Sequence, residues 1–517
     1  MLIQSQVHHI LGWLLTTATM LAMGWLLLRV LQLTRHLPDP LERIALSTLT
    51  GAALLSLTVF ALGIAGQAAW GPFLLLALAT VPSAAVLARR EPIFTATGQT
   101  GRGTAILLLT PFAGYFAFYF LHAAAPEISP DGSYYHLGFV ELYQRTGRLV
   151  TLRDSFFNHM PQGAELLFLY AYTFGRHSAA ALTHFSLLLT LTALVYTYSR
   201  HRLHLGAAPA ALAALAVFSS PLTGWDATRA YVDVAQAVAI FGMFYLLQMP
   251  VLTVRVAAVA GLLAGFAFSI KYMGGIALPL GVALILLAAE ARRRLELVAA
   301  FSFTALAAFA PWAIRNWITI GNPVSPFLTT VFPNPYVFPD FTRQLTHLMY
   351  NQFFPGWLQL PLEYTLRGVH TQGVLGPVFL LTPVALLLAL RTSEGRRVAL
   401  AAAVMLLLYP TAISRYLIPA IPFLAVAIAA MFARWPKAAV IALLAVVAIT
   451  AMPPVVDRYA GQHAMRFART PTLAEVFRIT PEAEYLSNRH AGYDVARMVD
   501  RYVPPGSTLY SFVSFPE

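Results

Sequence analysis

Apolar runs long enough to cross a bilayer as helices recur along nearly the whole chain, and nothing else in the sequence restricts the fold as much. A hydrocarbon core of ~30 Å needs about 20 apolar residues in helical form. Fourteen stretches read as spans: near 10–33, 44–65, 71–88, 104–123, 178–199, 207–220, 230–248, 254–270, 274–290, 297–314, 374–390, 398–413, 416–432 and 437–453. The run 207–220 is short, and 161–175 (PQGAELLFLYAYTFG) is too short to cross, so the latter is expected to lie along the membrane interface.

Composition agrees with that reading. The chain of 517 residues is 58% hydrophobic and only 11% charged, against roughly 25% charged residues in soluble domains. The apolar runs are continuous rather than alternating in ~10-residue segments, which argues against a β-barrel. The expected class is therefore an all-α polytopic membrane protein. A net charge of +12 does not point to nucleic acid, because the basic residues sit in short clusters between apolar runs. Cysteine is absent, which removes disulfides, thiolate metal sites and cysteine nucleophiles together. The first run has no small-residue cleavage site, so it is expected to stay as a span.

Arginine clusters orient the bundle. Arg35 and Arg43, Arg89 and Arg90, Arg200 and Arg202, Arg292 to Arg294, Arg391 with Arg396 and Arg397, and Arg434 with Lys437 all fall on one side. By the positive-inside rule that side is cytoplasmic. Both termini, two long inserts (124–177 and 315–373) and a polar tail then face outward. The expected division is a membrane domain over 1–453 and an outer, periplasmic segment over 454–517. The tail shows charged helical patterns over 471–503, then VPPGSTLYSFVSF, a Pro-Gly turn leading into a strand.

The first insert carries PDGSYYHLGFVELY, from Pro130 to Tyr143. Only 22 residues of the chain are Asp or Glu, so a carboxylate at a membrane edge requires a reason. Asp131 can serve as an N-cap, accepting from free N–H groups of the first turn. It can also act as a general base toward a sugar hydroxyl, with Tyr134 and Tyr135 on its side at helical spacing and His136 next to them. Asp131, His136 and His159, with Glu127 in the same insert, allow a divalent metal to be drawn, but their intervals match no known ligand spacing. Asp233 lies just inside a span and Asp226 in the loop before it. An ionisable residue there is a functional candidate, although Arg229, four residues earlier, offers a helical ion pair.

Three cations stand at outer span ends: Lys271 in GFAFSIKYMGG, Arg315 in PWAIRNW and Arg415 in ISRYLIP. Cations at that level run against the positive-inside tendency and suggest an anion at the membrane surface. A phosphate on a lipid carrier fits, since Arg binds phosphate by paired hydrogen bonds and Lys as a point charge. No phosphate-binding loop of the GxxxxGK[ST] or GxGxxG type is present.

PDGSYYH, PQGAELLFLYAYTFGRHSAAALTH, RAYVDVAQAVAIFGMFYLL, GFAFSIKYMGG, PWAIRNWITIGNPVSPF and SRYLIPAIPF occur in this order over most of residues 124–432. Together they resemble the GT-C glycosyltransferases, multi-span enzymes that use polyprenyl-phosphate-linked sugars. The likeness is strongest to the bacterial branch related to protein O-mannosyltransferases and lipid A aminoarabinose transferases. The resemblance implies that Asp131 is the acidic residue of the first outer loop, activating the acceptor or binding an ion. It implies too that Lys271, Arg315 and Arg415 hold the carrier phosphate. Two departures stand out. Gly132 occupies the place where many members have a second acid, so that Asp131 works alone, Asp226 or Asp233 helps, or activity is lost; and the motif follows the fourth span rather than the first, so about three helices look added at the N-terminus.

The expected function is transfer of a sugar, with inversion, from a polyprenyl-phosphate carrier to a hydroxyl of a glycan, lipid or protein. The reaction would take place at the outer face of a bacterial inner membrane and build cell-envelope glycan. Substrate contacts are expected from Tyr134, Tyr135, His136, Asp226, Asp233, Lys271, Arg315 and Arg415, and catalysis from Asp131. The rival reading is a transporter or flippase of lipid-linked sugars, which needs the anion site but no base.

Overall fold

The computed structural model describes residues 7–89, 102–337, 340–347, 356–408, 413–462, 464–467, 469–490, 492–504 and 506–507. Every regular element among them is helical. The chain opens with α1 (His8–Val30), α2 (Pro40–Ile64), α3 (Trp70–Ala88) and α4 (Arg102–Ala124). The first insert holds a wide π-type turn over Gly132–His136, then α5 (Leu137–Thr146) and the single turn α6 (Phe156–His159). Next come α7 (Gly163–His201), α8 (Ala207–Phe218), α9 (Pro221–Ala227), α10 (Asp233–Leu247), α11 (Val254–Ile270), α12 (Ala277–Ala288) and α13 (Ala291–Ile320). The second insert contains α14 (Phe341–Thr346) and α15 (Leu360–Leu362). The bundle closes with α16 (Thr382–Ala389), α17 (Ser393–Leu408), α18 (Ile421–Met431) and α19 (Lys437–Thr450). The tail adds α20 (Pro453–Tyr459), α21 (Leu473–Val476), α22 (Glu482–Arg489) and α23 (Tyr493–Tyr502).

Local chemistry sets several boundaries. Asp39 caps α2 by accepting from the Glu42 N–H, and Pro40 fills the first helical position, where no N–H is needed. α13 stops at Gly321, whose φ of 79° suits glycine. Helices then meet through small residues. A side chain at Gly24 or Gly51 would overlap the backbone of the other helix, so α1 and α2 touch main chain to main chain. Gly261 and Gly265, four apart on α11, allow the same approach to α13, where Thr304 donates to the Ala258 carbonyl at 2.8 Å. Close contact of this kind holds helices together where lipid removes the hydrophobic drive between them.

Among the described residues, six helices are long and apolar enough to cross a membrane. Two bent pairs raise that to eight: α8 with α9, at 60°, and α19 with α20, at 75°. Further apolar helices of 10–17 residues accompany them, α10 and α11 included. The expected count of fourteen spans is thus not confirmed, because five of the expected spans fall on apolar helices of only 10–17 residues. The short run 207–220 is the first limb of a bent pair.

The segment expected on the membrane interface behaves differently. It forms the first leg of α7, separated from the second by a break at Arg176 (φ 59°, ψ −161°). From Gly163 to Ala171 it is buried on every side, whereas a helix lying on a membrane leaves one face uncovered. The surrounding elements enclose it and so fix the floor beneath the first insert.

The tail packs back on the insert. Arg478 donates to the Ala124 carbonyl at 3.1 Å and to Ser178 Oγ at 2.6 Å. Glu482 pairs with His177 at 3.0 Å, and His490 Nε2 lies 2.9 Å from Ser133 Oγ. The strand expected near the C-terminus falls on residues that lie almost entirely outside the described ones.

Candidate functional site

The first insert leaves α4 and is pinned at once. Glu127 accepts from the N–H groups of Ile128 (2.9 Å) and Ser129 (2.7 Å), and its other oxygen accepts from the Ala230 N–H at 2.7 Å. One carboxylate therefore ties the insert to the connection between α9 and α10. Beyond it, the π-type turn widens the backbone, a geometry often found at functional sites.

Asp131 sits at the start of this turn but caps nothing, since its carboxylate accepts no backbone N–H there. It meets Arg415 instead, Oδ2 to Nη1 at 2.5 Å, and accepts weakly from the Tyr135 hydroxyl at 3.4 Å. Its backbone N–H donates to the Tyr231 hydroxyl at 3.3 Å. Burial pushes the Asp131 carboxyl up, but Arg415, with His136 and Lys271, outweighs burial and holds it below the usual carboxylate value. Asp131 is thus ionised and, while Arg415 stays beside it, weakly basic.

A second ion pair stands next to the first. Lys271, between α11 and α12, donates to Asp233 Oδ1 at 2.7 Å. Tyr416 joins the two pairs, because its ring lies 4.5 Å from Lys271 Nζ and 5.4 Å from the Arg415 guanidinium carbon. Arg415 also stands over Tyr231 at 5.3 Å. Four charges from four separate segments balance around two aromatic rings. Asp233 is buried, whereas Lys271, Arg415 and Asp131 keep partial exposure. An anion can therefore reach both cations from the open side, in competition with the carboxylates.

The other candidates divide clearly. Tyr134 and Tyr135 meet edge to face, and Tyr135 stacks flat on Phe157 at 4.3 Å. This makes an aromatic wall beside Asp131. His136 turns inward, with Nδ1 2.7 Å from the buried Glu165 carboxylate of α7. Tyr135, His136, Glu165, Lys271 and Tyr272 line a cavity of about 40 Å³, too small for a sugar. A sugar must therefore use the open side.

Asp226 does not join the site. It is fully buried, accepts from the Val234 N–H at 3.1 Å, and lies 3.7 Å from His184 Nε2. Those contacts hold the α9–α10 corner. The Asp233–Arg229 pair is not formed either. Arg229 packs over Trp225 at 4.0 Å and donates to the Trp225 carbonyl, which leaves Asp233 to Lys271.

Arg315 is buried and donates to the carbonyls of Asn158 and Val150 and to Asn158 Oδ1, each at 3.1 Å. It clamps the far part of the insert rather than facing the two ion pairs. His159 has one ring nitrogen 3.0 Å from Ser325 Oγ and the other 3.0 Å from the Arg153 carbonyl. With His136 held by Glu165, the proposed metal set of Asp131, His136 and His159 is not assembled. No group of three or more His, Asp or Glu is placed to hold a metal among the described residues.

Gly132 has a steric explanation. A Cβ there would overlap Ser129 Oγ and lie 3.1 Å from the Glu127 carboxylate carbon. Glu127 already fills the space into which a second acid would project.

Tyr231 and Tyr416 are the site residues that sequence reasoning missed. Each lies within two positions of a charged candidate, in RAYVD and SRY, and an aromatic next to a membrane-edge cation was the available signal. Glu165 and the tail residues gave none.

No family model matches the chain, and no curated protein matches it. Among solved structures the chain is similar to ArnT from Cupriavidus metallidurans bound to undecaprenyl phosphate. The likeness covers 80% of this chain and 83% of that one, with 18% identity and a TM-score of 0.52. The apo state of ArnT is matched over 65% of this chain and 61% of that one, with 18% identity and a TM-score of 0.49. The chain thus shares the fold of that ArnT structure over most of its length, in agreement with the fold that the ordered motifs implied.

Proposed function

We propose that the protein is an integral membrane glycosyltransferase, moving a sugar from a polyprenyl-phosphate carrier to an acceptor hydroxyl at the periplasmic face of a bacterial inner membrane. The observation that carries this reading is the pair of neighbouring ion pairs, Asp131–Arg415 and Asp233–Lys271, joined through Tyr416. The arrangement supplies a base and two phosphate-competent cations within one partly exposed cluster. The fold it shares with ArnT, solved with undecaprenyl phosphate bound, supports a carrier of that class.

Asp131 takes the proton of the acceptor hydroxyl as its oxygen forms a bond to the anomeric carbon. The bond from that carbon to the phosphate oxygen breaks on the opposite face, so the configuration inverts. The electron pair remains on the phosphate as added negative charge, which Arg415 and Lys271 stabilise where water is partly excluded. When phosphate takes up donors of Arg415, Asp131 loses the partner that depresses its basicity. Donor binding thereby makes the base stronger at the moment it is needed. Tyr134, Tyr135 and Phe157 offer apolar faces to a sugar ring.

In this reading residues 1–453 form the membrane domain, in which the shorter apolar helices also lie within the bilayer. Residues 454–517 and the 315–373 insert cover the outer face, where the acceptor (glycan, lipid or protein) arrives. The test uses the purified full-length protein with a polyprenyl-phosphate sugar and membrane-extracted acceptors, followed by mass spectrometry of products. Asp131→Asn is expected to fold and to abolish transfer. Full turnover by that variant overturns the mechanism, and sugar translocation without any transfer by the wild type favours a transporter.

A further inference from the structure

A second polar cavity lies at the other end of the same helices. α10 begins at Asp233 and reaches Gln248 after its last turn, roughly 22 Å away at 1.5 Å per residue. α11 returns from Thr253 to Lys271. At that far end the connections after α7, α10 and α12 meet the starts of α13 and α17 around a cavity of about 480 Å³. Its size falls in the range of small-ligand sites. Tyr198, Arg202, Gln248, Arg293 and Arg397 line it.

Three buried donors of this lining have no partner among the described residues. The Tyr198 side chain is completely buried, yet its hydroxyl has no hydrogen-bond partner. Gln248, also buried, accepts from Arg397 Nη1 at 2.8 Å through Oε1, which fixes its amide so that Nε2 remains unpartnered. Arg202 Nε is likewise buried and unpartnered, while Nη2 donates to Glu42 at 2.8 Å. Glu42 thus neutralises Arg202. Arg293 and Arg397 form no ion pair among the described residues. Two acids also line the cavity: Glu290 pairs outward with Arg292 at 2.9 Å, and Glu394, which accepts from Ser393 Oγ, partly offsets the charge of Arg397. The starts of α13 and α17 also face this cavity, but Glu290 stands at the N-cap of the one and Glu394 in the first turn of the other, so those helix ends are already met by carboxylates. Three leftover buried donors and the Arg293 guanidinium, which has no ion-pair partner among the described residues, call for an acceptor-rich anion. Leu252 and Leu297 supply an apolar wall beside them.

We propose that this cavity binds a phosphate group, carried by a phospholipid headgroup or by a soluble phosphate ester, at the end of the bundle opposite the transfer site. The Arg clusters assign this end to the cytoplasm, so the site samples the inner leaflet and the cytosol rather than the donor. It does not depend on the reading of the Asp131 cluster.

The test uses full-length protein in phosphatidylcholine nanodiscs with or without phosphatidic acid, with retained lipid counted by native mass spectrometry. Wild type and Asp131→Asn are expected to retain phosphatidic acid about tenfold over phosphatidylcholine. Arg293→Gln/Arg397→Gln is expected to lose that preference. Arg293→Gln alone removes a side chain without intramolecular partners and keeps the protein folded, with a several-fold loss expected. In detergent, inorganic phosphate is the soluble probe. If it raises the melting temperature of wild type but not of the Arg variants, the proposal holds with a soluble anion as ligand. Indifference of wild type to both probes, or a preference unchanged in the double variant, overturns it.

Discussion

Asp131 and Arg415, separated by 284 positions in the chain, meet at 2.5 Å beside the rings of Tyr231 and Tyr416. Each controls the other. Arg415 keeps the carboxylate ionised, and Asp131 compensates a guanidinium that burial would otherwise penalise. Replacing Asp131 by Asn keeps the shape, removes the base and leaves Arg415 without its counter-charge, so transfer should fall ~10²–10⁴-fold in a protein that still folds but melts at a lower temperature. Product formation by mass spectrometry, paired with thermal unfolding in detergent, separates these two effects.

The lowered pKa of Asp131 sets an acid limit. A depressed carboxylate stays ionised as pH falls through the ordinary carboxylate range, and its base function disappears only below that range. In kcat/KM, which reports the donor-free protein, the acid limb should therefore lie below the usual carboxylate range, whereas in kcat, with phosphate on Arg415, it should lie higher. Arg415→Gln should move the acid limb upward, because burial then acts on Asp131 without its main opponent. A pH–rate profile unchanged by Arg415→Gln would argue against the pairing as the cause.

Lys271 and Asp233 allow stability to be separated from function. Lys271→Met leaves the Asp233 carboxylate buried and uncompensated, a loss of about 3–5 kcal/mol by analogy with broken buried pairs. Adding Asp233→Leu should recover most of that stability without restoring transfer. Equilibrium unfolding and turnover measured on the same two variants check both halves.

Gly132 gives a prediction against intuition. Gly132→Asp, which inserts the acid that many GT-C members carry, should lower transfer, because Glu127 and Ser129 occupy the space. Gly132→Ala should cost about 1–3 kcal/mol by overpacking. Ser129→Ala should relieve part of that cost, since it removes the oxygen that the new Cβ overlaps. Melting temperatures of the single and double variants decide it.

The docked tail should respond to acid. Burial pushes the Glu482 carboxyl up, but hydrogen bonds and charge from His177 and Arg478 outweigh it and lower the pKa from 4.5 to about 2. A depressed folded pKa means that the stabilisation is complete above 4.5 and is lost as pH falls toward about 2. Hydrogen exchange over 471–490 should rise in that window. Glu482→Gln should show the faster exchange at neutral pH as well.

How far these features were legible depends on the range of the interaction that makes them. Spans, insert positions and the candidacy of Asp131, Lys271 and Arg415 follow from local patterns of apolar and charged residues. Arg315 and Asp226 carry the same local signal and yet hold a loop and a corner, because their partners are carbonyls and N–H groups that no pattern announces. His159 likewise spends both ring nitrogens on Ser325 and Arg153. Asp233 chose Lys271, 38 positions away, over Arg229 at helical spacing, because the turn before α10 aims Arg229 at Trp225.

The amino-acid sequence by itself determined that this chain is a helical membrane protein with charge concentrated at one set of helix ends. Solvent alone enforces that, since apolar runs cannot stay in water and buried charges need a reason. Which charges face one another was decided only by the tertiary structure. Close packing at Gly24, Gly51, Gly261 and Gly265 fixes how the helices sit, and that places Asp131 on Arg415, Lys271 on Asp233, and Tyr416 between the two pairs.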